Sequence, residues 1–288
     1  MDWSQLPRYL LPWEFSYLWL FACLIPAILY VRGSFILAGS GRAVPVWRRA
    51  VFMIGILLMY AVTMTHYDYL SQFMFFTHRA QHLILHHLGP FLIALSRPLP
   101  VLAAGVPRSL RNDPAIEVAA IVVRPVYRVL QNPVVAPLLF VGLIFFWLQP
   151  TVHYYAMLSE PLYHVMNWSM AIDGLLYWFL VFDPRTPAQG GLAYRWRIAG
   201  LIAVAPPQII LGAYITLSSR ELFEVYAVCG RAWDLNPLVD QQIGGLITWI
   251  PAAMMSLLGV LVVMRMMFDH ERETTDSDKT EQTHYATA

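Results

Sequence analysis

Seven stretches of about 20 mostly apolar residues dominate this chain, at approximately 15–36, 46–66, 72–95, 133–150, 162–182, 196–218 and 241–267. A helix of roughly 20 residues rises about 30 Å, the thickness of a bilayer's hydrocarbon core. In that solvent only helices and closed barrels satisfy their own backbone, and runs this long belong to helices. The expected fold is all-α, a polytopic membrane bundle of seven transmembrane helices. Composition agrees: 58% of residues are hydrophobic and 13% charged, against roughly 25% charged in soluble domains. The net charge of +1 and the lack of a basic tract exclude nucleic acid as a partner and leave the lipid bilayer.

Residues 1–268 read as one seven-span membrane domain. The polar stretch DHERETTDSDKTEQTHYATA, residues 269–288, reads as a disordered cytoplasmic tail. The opening MDWSQLPRYLLPWEF has no basic n-region or small-residue cleavage site, so the first span is expected to act as its own signal. Cys23 and Cys229 form no CxxC pair and are expected as free thiols.

Basic residues alternate between connections. Arg32, Arg42, Arg48 and Arg49 lie between spans 1 and 2, Arg97, Arg108, Arg111, Arg124 and Arg128 between 3 and 4, and Arg185, Arg195 and Arg197 between 5 and 6. Residues 67–71 and 151–161 have no Lys or Arg, and 219–240 have only Arg220 and Arg231. The positive-inside rule then puts the N-terminus outside and the C-terminus inside a bacterial-type inner (plasma) membrane.

Within this frame THRAQHLILHHLGP, residues 77–90, places four histidines in the third span. His78, His82 and His86 follow at i, i+4 and i+8 along one helix face, about 6 Å per step, and His87 is rotated off it. Ionisable groups are costly inside a bilayer, and imidazole serves both transition-metal ligation and proton transfer. The topology brings His66 and Asp68, His78 and His82, His153, His164, and Asp240 with Gln241 and Gln242 to the outer side. Met64, Met74, Met157 and Met166 fall in the same zone, so both soft and harder ligands are on hand.

Plainer roles compete for some of these residues. Methionines at helical spacing are usually packing. His86 or His87 alone is often a helix–helix hydrogen-bond partner, and Asp240 with Gln241 suits a helix N-terminus. Trp13, Tyr17, Trp147, Tyr154, Tyr155 and Trp233 read as an interfacial belt. Asp173, with Asn167 about two turns above it, needs a partner or a proton, and Arg79 is expected to snorkel outward.

Three blocks resemble one known family. FTHRAQHLILHHLGPFLIALSRP, HYYAMLSEPLYHVMNWSMAIDGLLYWFLVFDP and PLVDQQIGGLITWIPAAMMSLLGVLVV are similar, in order and across about residues 45–267, to the multi-span CtaG family of cytochrome c oxidase assembly factors. The resemblance implies a non-catalytic seven-span protein that handles copper for the oxidase's buried copper centre. Its partners would be an oxidase subunit or a copper donor protein. By position His78, His82, His153, His164 and Asp240 match the family's polar signature, with His66 as a further metal candidate. Where family members often carry methionine, this chain has Arg79, Leu83 and Thr248, which leaves a harder, His/Asp-dominated set. A haem-binding or electron-transfer membrane protein is the alternative reading. An intramembrane zinc hydrolase ranks last, since no HExxH helix is present and Glu160 is the sole outer-loop acid near the histidines of spans 4 and 5.

Overall fold

A computed structural model describes residues 15–111 and 113–286, with side chains described up to residue 275. The N-terminal residues 1–14, on which most of the signal-peptide expectation rests, lie outside the described residues. Among the described residues there is no strand. The helices are α1 (Tyr17–Gly39), α2 (Val46–Met64), α3 (His66–Phe73) and α4 (Phe75–His82). A π-helical turn (Leu83–Leu88) follows, and then α5 (Gly89–Leu95), α6 (Leu99–Gly105) and α7 (Arg108–Arg111). Next come α8 (Pro114–Leu130), α9 (Val135–Trp147), α10 (Pro150–Leu158), α11 (Glu160–Val181), α12 (Tyr194–Leu217), α13 (Val225–Cys229) and α14 (Pro237–Ala286).

Each of the seven apolar stretches is helical. By length and apolarity four helices (α1, α2, α12 and α14) can cross a membrane. The number rises to six if α4 through α6, bent by 74°, and α8 with α9, bent by 79°, each count as one span. The chain is thus a multi-pass helical membrane protein. α9 has only 13 residues, about 20 Å of helix. α11 has 22, but His164, Asn167 and Asp173 dilute its apolar character.

Polarity is distributed as lipid requires. Large apolar side chains face outward, among them Phe35, Leu138, Phe146, Ile210, Leu217 and Leu257. Histidines, amides and acids are buried between the helices. α14 packs along α12, α1 packs on α6 and α2, and α4 lies against α14. The α1–α6 crossing depends on two glycines. A Cβ at Gly33 would stand 1.9 Å from the Val101 carbonyl oxygen, and one at Gly105 would stand 1.9 Å from that of Leu29. Close crossings through small residues are how membrane helices gain packing where the hydrophobic effect gives none.

Candidate functional site

The histidine-bearing helix is set by its two ends. Met74 is extended (φ −143°, ψ 131°), which separates α3 from α4 and leaves the first N–H groups of α4 without intrahelical partners. Asp240, at the start of α14 and fully buried, supplies them: Phe75 N–H donates to its Oδ2 (3.1 Å) and Phe76 N–H to its Oδ1 (2.8 Å). A carboxylate here also suits the positive end of the α4 dipole. The Arg231 guanidinium donates to the same carboxylate and to Glu221 Oε1 (3.0 Å), tying the 219–240 connection to the cap. At the other end Pro90 has no N–H for the carbonyl four residues back. The chain widens to a π turn just before it, where Gly89 N–H donates to Ile84 O, five residues earlier. π-bulges often mark functional sites, and this one turns adjacent His86 and His87 both inward.

Three imidazoles gather at the α4 end of this segment. His78 and His82 have ring centroids 4.4 Å apart, and the His153 ring stands edge-on to His78 at 5.1 Å. All three are buried. Their nitrogens differ in state. His153 Nδ1 donates to the Trp147 carbonyl (3.1 Å), so its Nε2 is the acceptor for the Tyr226 hydroxyl (3.0 Å). Burial, then the charge of Arg79, pushes the His153 imidazolium down to about 3, so the ring is neutral. Burial, with Asp240 nearby, pushes the Tyr226 hydroxyl up and keeps it a donor. His82 Nε2 faces Asn167 Oδ1 at 3.1 Å; with that amide oxygen accepting, Nδ1 holds the lone pair. His82 Nδ1 and both nitrogens of His78 have no hydrogen bond within 3.5 Å among the described residues, although the Ser71 backbone is near enough to act on the His78 ring.

A polar brace supports the trio. Asp68 Oδ1 accepts from the Tyr163 hydroxyl (2.8 Å) and from Gln81 Nε2 (2.7 Å), and Asp68 Oδ2 accepts from Gln72 Nε2 (2.9 Å). This joins α3, α4 and α11 beside His78, whose ring lies 6.2 Å from that of Tyr163.

Other predicted residues are placed elsewhere. His164 is on the outward side of α11, half-buried, with Glu160 Oε1 at 3.9 Å. His66 stacks on Tyr69, centroids 4.9 Å apart. Asp240 has both oxygens engaged in the α4 cap. Arg79 does not snorkel: it is buried, and its Nε donates to Thr248 Oγ1 at 3.0 Å on α14. Two of the three positions that depart from methionine thus bond to each other. His153, assigned to a loop from sequence, lies on α10 against Phe223 and Tyr226 of the 219–240 connection. Tyr226, Gln81 and Tyr163 were missed, and Asp68 and Asn167 were singled out without these roles.

Below His82, His86 and His87 form a second cluster. His86 Nε2 lies 3.0 Å from Asp173 Oδ2, the two Nδ1 atoms lie 3.3 Å apart, and His87 Nε2 lies 3.0 Å from Gln208 Oε1. A cavity of about 10 Å³, lined among others by Arg79, His82, His86, His87 and Thr248, separates the two clusters.

Among the described residues no three His, Cys, Asp or Glu side chains are already disposed to hold a metal ion. Buried polar atoms are normally bonded, and the neighbouring rings of His78 and His82 leave three nitrogens without partners; a neutral imidazole carries one lone pair, so His78 and His82 present two, one from each ring.

An uncharacterized protein of Mycobacterium leprae is 26% identical over 95% of this chain and 43% of its own length. Uncharacterized proteins of Mycobacterium bovis and Mycobacterium tuberculosis are each 27% identical over 92% of this chain and 40% of their own length. The chain therefore spans less than half the length of these curated relatives. No solved structure matches it. The family model described as cytochrome c oxidase caa3 assembly factor matches residues 28–270, from α1 into α14, and the chain belongs to that CtaG family.

Proposed function

We propose that this chain is a seven-span assembly factor of the plasma membrane, N-terminus outside, that binds copper at His78 and His82 and supports its delivery to a cytochrome c oxidase. In this reading α11 is the span that its polar residues disguise, and the Arg-rich connections lie on the cytoplasmic side. The observation that carries the copper site is the unpartnered state of His78 Nδ1, His78 Nε2 and His82 Nδ1 on adjacent buried rings. Asn167 orients His82 as outer-shell partners orient metal-bound histidines. His153 would join after its bond to Tyr226 gives way, while His66, His164 and Asp240 stand outside the pair. Copper is cargo here, taken at the outer face and passed to an oxidase subunit or received from a donor protein.

The test is elemental analysis and Cu(I) competition on the purified full chain. Wild-type protein retains copper, His78→Ala with His82→Ala loses it, and Asn167→Leu weakens affinity by about 10–100-fold. Equal copper in wild type and the double variant would overturn the site.

A further inference from the structure

The second cluster carries a separate conclusion, because its hydrogen bonds run in series and one end is fixed. Gln208 Nε2 donates to the Val204 carbonyl at 3.0 Å, so its Oε1, an acceptor, faces His87 Nε2. Reversing the amide would set two acceptor oxygens against each other at Val204. His87 Nε2 must therefore carry a proton. If His87 is neutral, its Nδ1 is a lone pair and His86 Nδ1 must donate across the 3.3 Å contact. A neutral His86 then presents a lone pair at Nε2, and Asp173 Oδ2, 3.0 Å away, must be the donor. If either imidazole is charged instead, the remaining contacts are satisfied with Asp173 ionised. Every arrangement without a lone-pair clash holds one proton more than a carboxylate with two neutral imidazoles.

We infer that Asp173, His86, His87 and Gln208 form an intramembrane binding site for a single exchangeable proton. The four side chains come from three elements, the π turn, α11 and α12, and all are buried. The proton can move along the chain without a side chain moving: transfer between Asp173 and His86, or between the two Nδ1 atoms, exchanges one N–H or O–H bond for another. Phe140 stacks on His86 at 4.0 Å and shields that face. The charged and titratable groups facing the chain are Arg79 and His82 across the cavity and Tyr177 one turn along α11 from Asp173. Arg79's charge limits the chain to one added proton. The cavity of about 10 Å³ is roughly the size that holds one water, and it opens the chain toward the outer cluster.

The experiment uses metal-free full-length protein. Infrared difference spectroscopy of wild type against Asp173→Asn reports a protonated carboxylic acid, and ¹⁵N spectra of histidine-labelled protein report each ring's protonation. Asn at 173 offers an amide N–H to His86 Nε2, so it preserves the bonds while removing the proton. The expected result is one acid carbonyl band that is lost in the variant and shifts in D₂O, or one doubly protonated imidazole among His86 and His87. An ionised Asp173 beside two neutral imidazoles would overturn the inference. The wild-type histidine spectra decide the question even if the variant fails to fold, because a neutral His86 with its proton at Nδ1 faces Asp173 with a lone pair and requires a protonated acid, whereas one with its proton at Nε2 faces an ionised acid.

Discussion

Two histidine pairs lie one turn apart on the same stretch of chain, and they differ in what their nitrogens touch. His86 and His87 have every nitrogen within hydrogen-bond distance of a partner, ending on Asp173 and Gln208. His78 has both nitrogens free of partners among the described residues, and His82 has one. Burial is equal in the two pairs, so burial does not distinguish them. Unsatisfied buried polar groups cost stability, and each one a fold retains calls for an explanation, such as a water, an ion or a ligand that relieves it. The inner pair, His86 and His87, belongs to the protein's own hydrogen bonding, and in the proposed function the outer pair, His78 and His82, is left open to a ligand.

The largest effect expected from breaking this contrast is at the inner pair. In His86→Phe the ring can keep the stack on Phe140, but Asp173 loses its 3.0 Å partner and His87 Nδ1 its 3.3 Å partner. Stranding a buried acid and an imidazole is expected to cost about 3–5 kcal/mol. Thermal unfolding in a fixed detergent should show a large fall in midpoint. An unchanged midpoint would mean that the inner chain is not held together by these bonds.

The sequence made some of this legible. Span positions came from apolar length and agree with the helices to within a few residues, except where Thr65 and Met74 break the backbone around α3 and where α14 continues past residue 267 to Ala286. The i, i+4 spacing placed His78 and His82 on one face. On α11 the histidine was the misleading letter. Tyr163, Met166, Asn167, Met170, Asp173, Gly174 and Tyr177 are buried at helical spacing, and His164 falls off that stripe. Weighing the stripe over residue type would have chosen Tyr163 and Asn167. The inward turn of both His86 and His87 was not legible, because an ideal helix separates adjacent residues by about 100° and only the π turn ahead of Pro90 overrides this. Gly174 offered no signal either, although a Cβ there would stand 2.4 Å from the His86 carbonyl oxygen. Contacts between elements far apart in sequence, such as Asp240 on the α4 N–H groups, leave no local pattern.

A middle-sized effect sharpens the role of His153, which lies outside the spans. Burial depresses its folded-state value to about 3 from the ordinary 6.5. As pH falls through 6.5 the unfolded imidazole takes a proton that the folded one refuses, so stability is fully present above that pH and declines until about 3. Between neutral pH and pH 4 the loss should be about 2–3 kcal/mol, and His153→Gln should remove that part of the slope. Denaturation midpoints measured across this range for both proteins would show it. Parallel curves would mean that His153 exchanges protons with solvent in the folded state.

The smallest effect is the sharpest test of the comparison. His78→Phe removes two nitrogens that have no partner and keeps a flat ring at a site already bordered by aromatic groups, with His153 at 5.1 Å and Tyr163 at 6.2 Å. Replacing an unsatisfied buried polar group by an apolar one of similar shape is close to neutral or stabilising, so the midpoint should move by less than about 1 kcal/mol, and upward if at all. Copper retention should fall in the same preparation. His78→Phe and His86→Phe are the same chemical change two turns apart on one chain segment, so lipid, detergent and overall burial cancel between them. A loss at His78 as large as that at His86 would show that the outer imidazole is bonded after all, and the distinction between an open pair and a closed one would collapse.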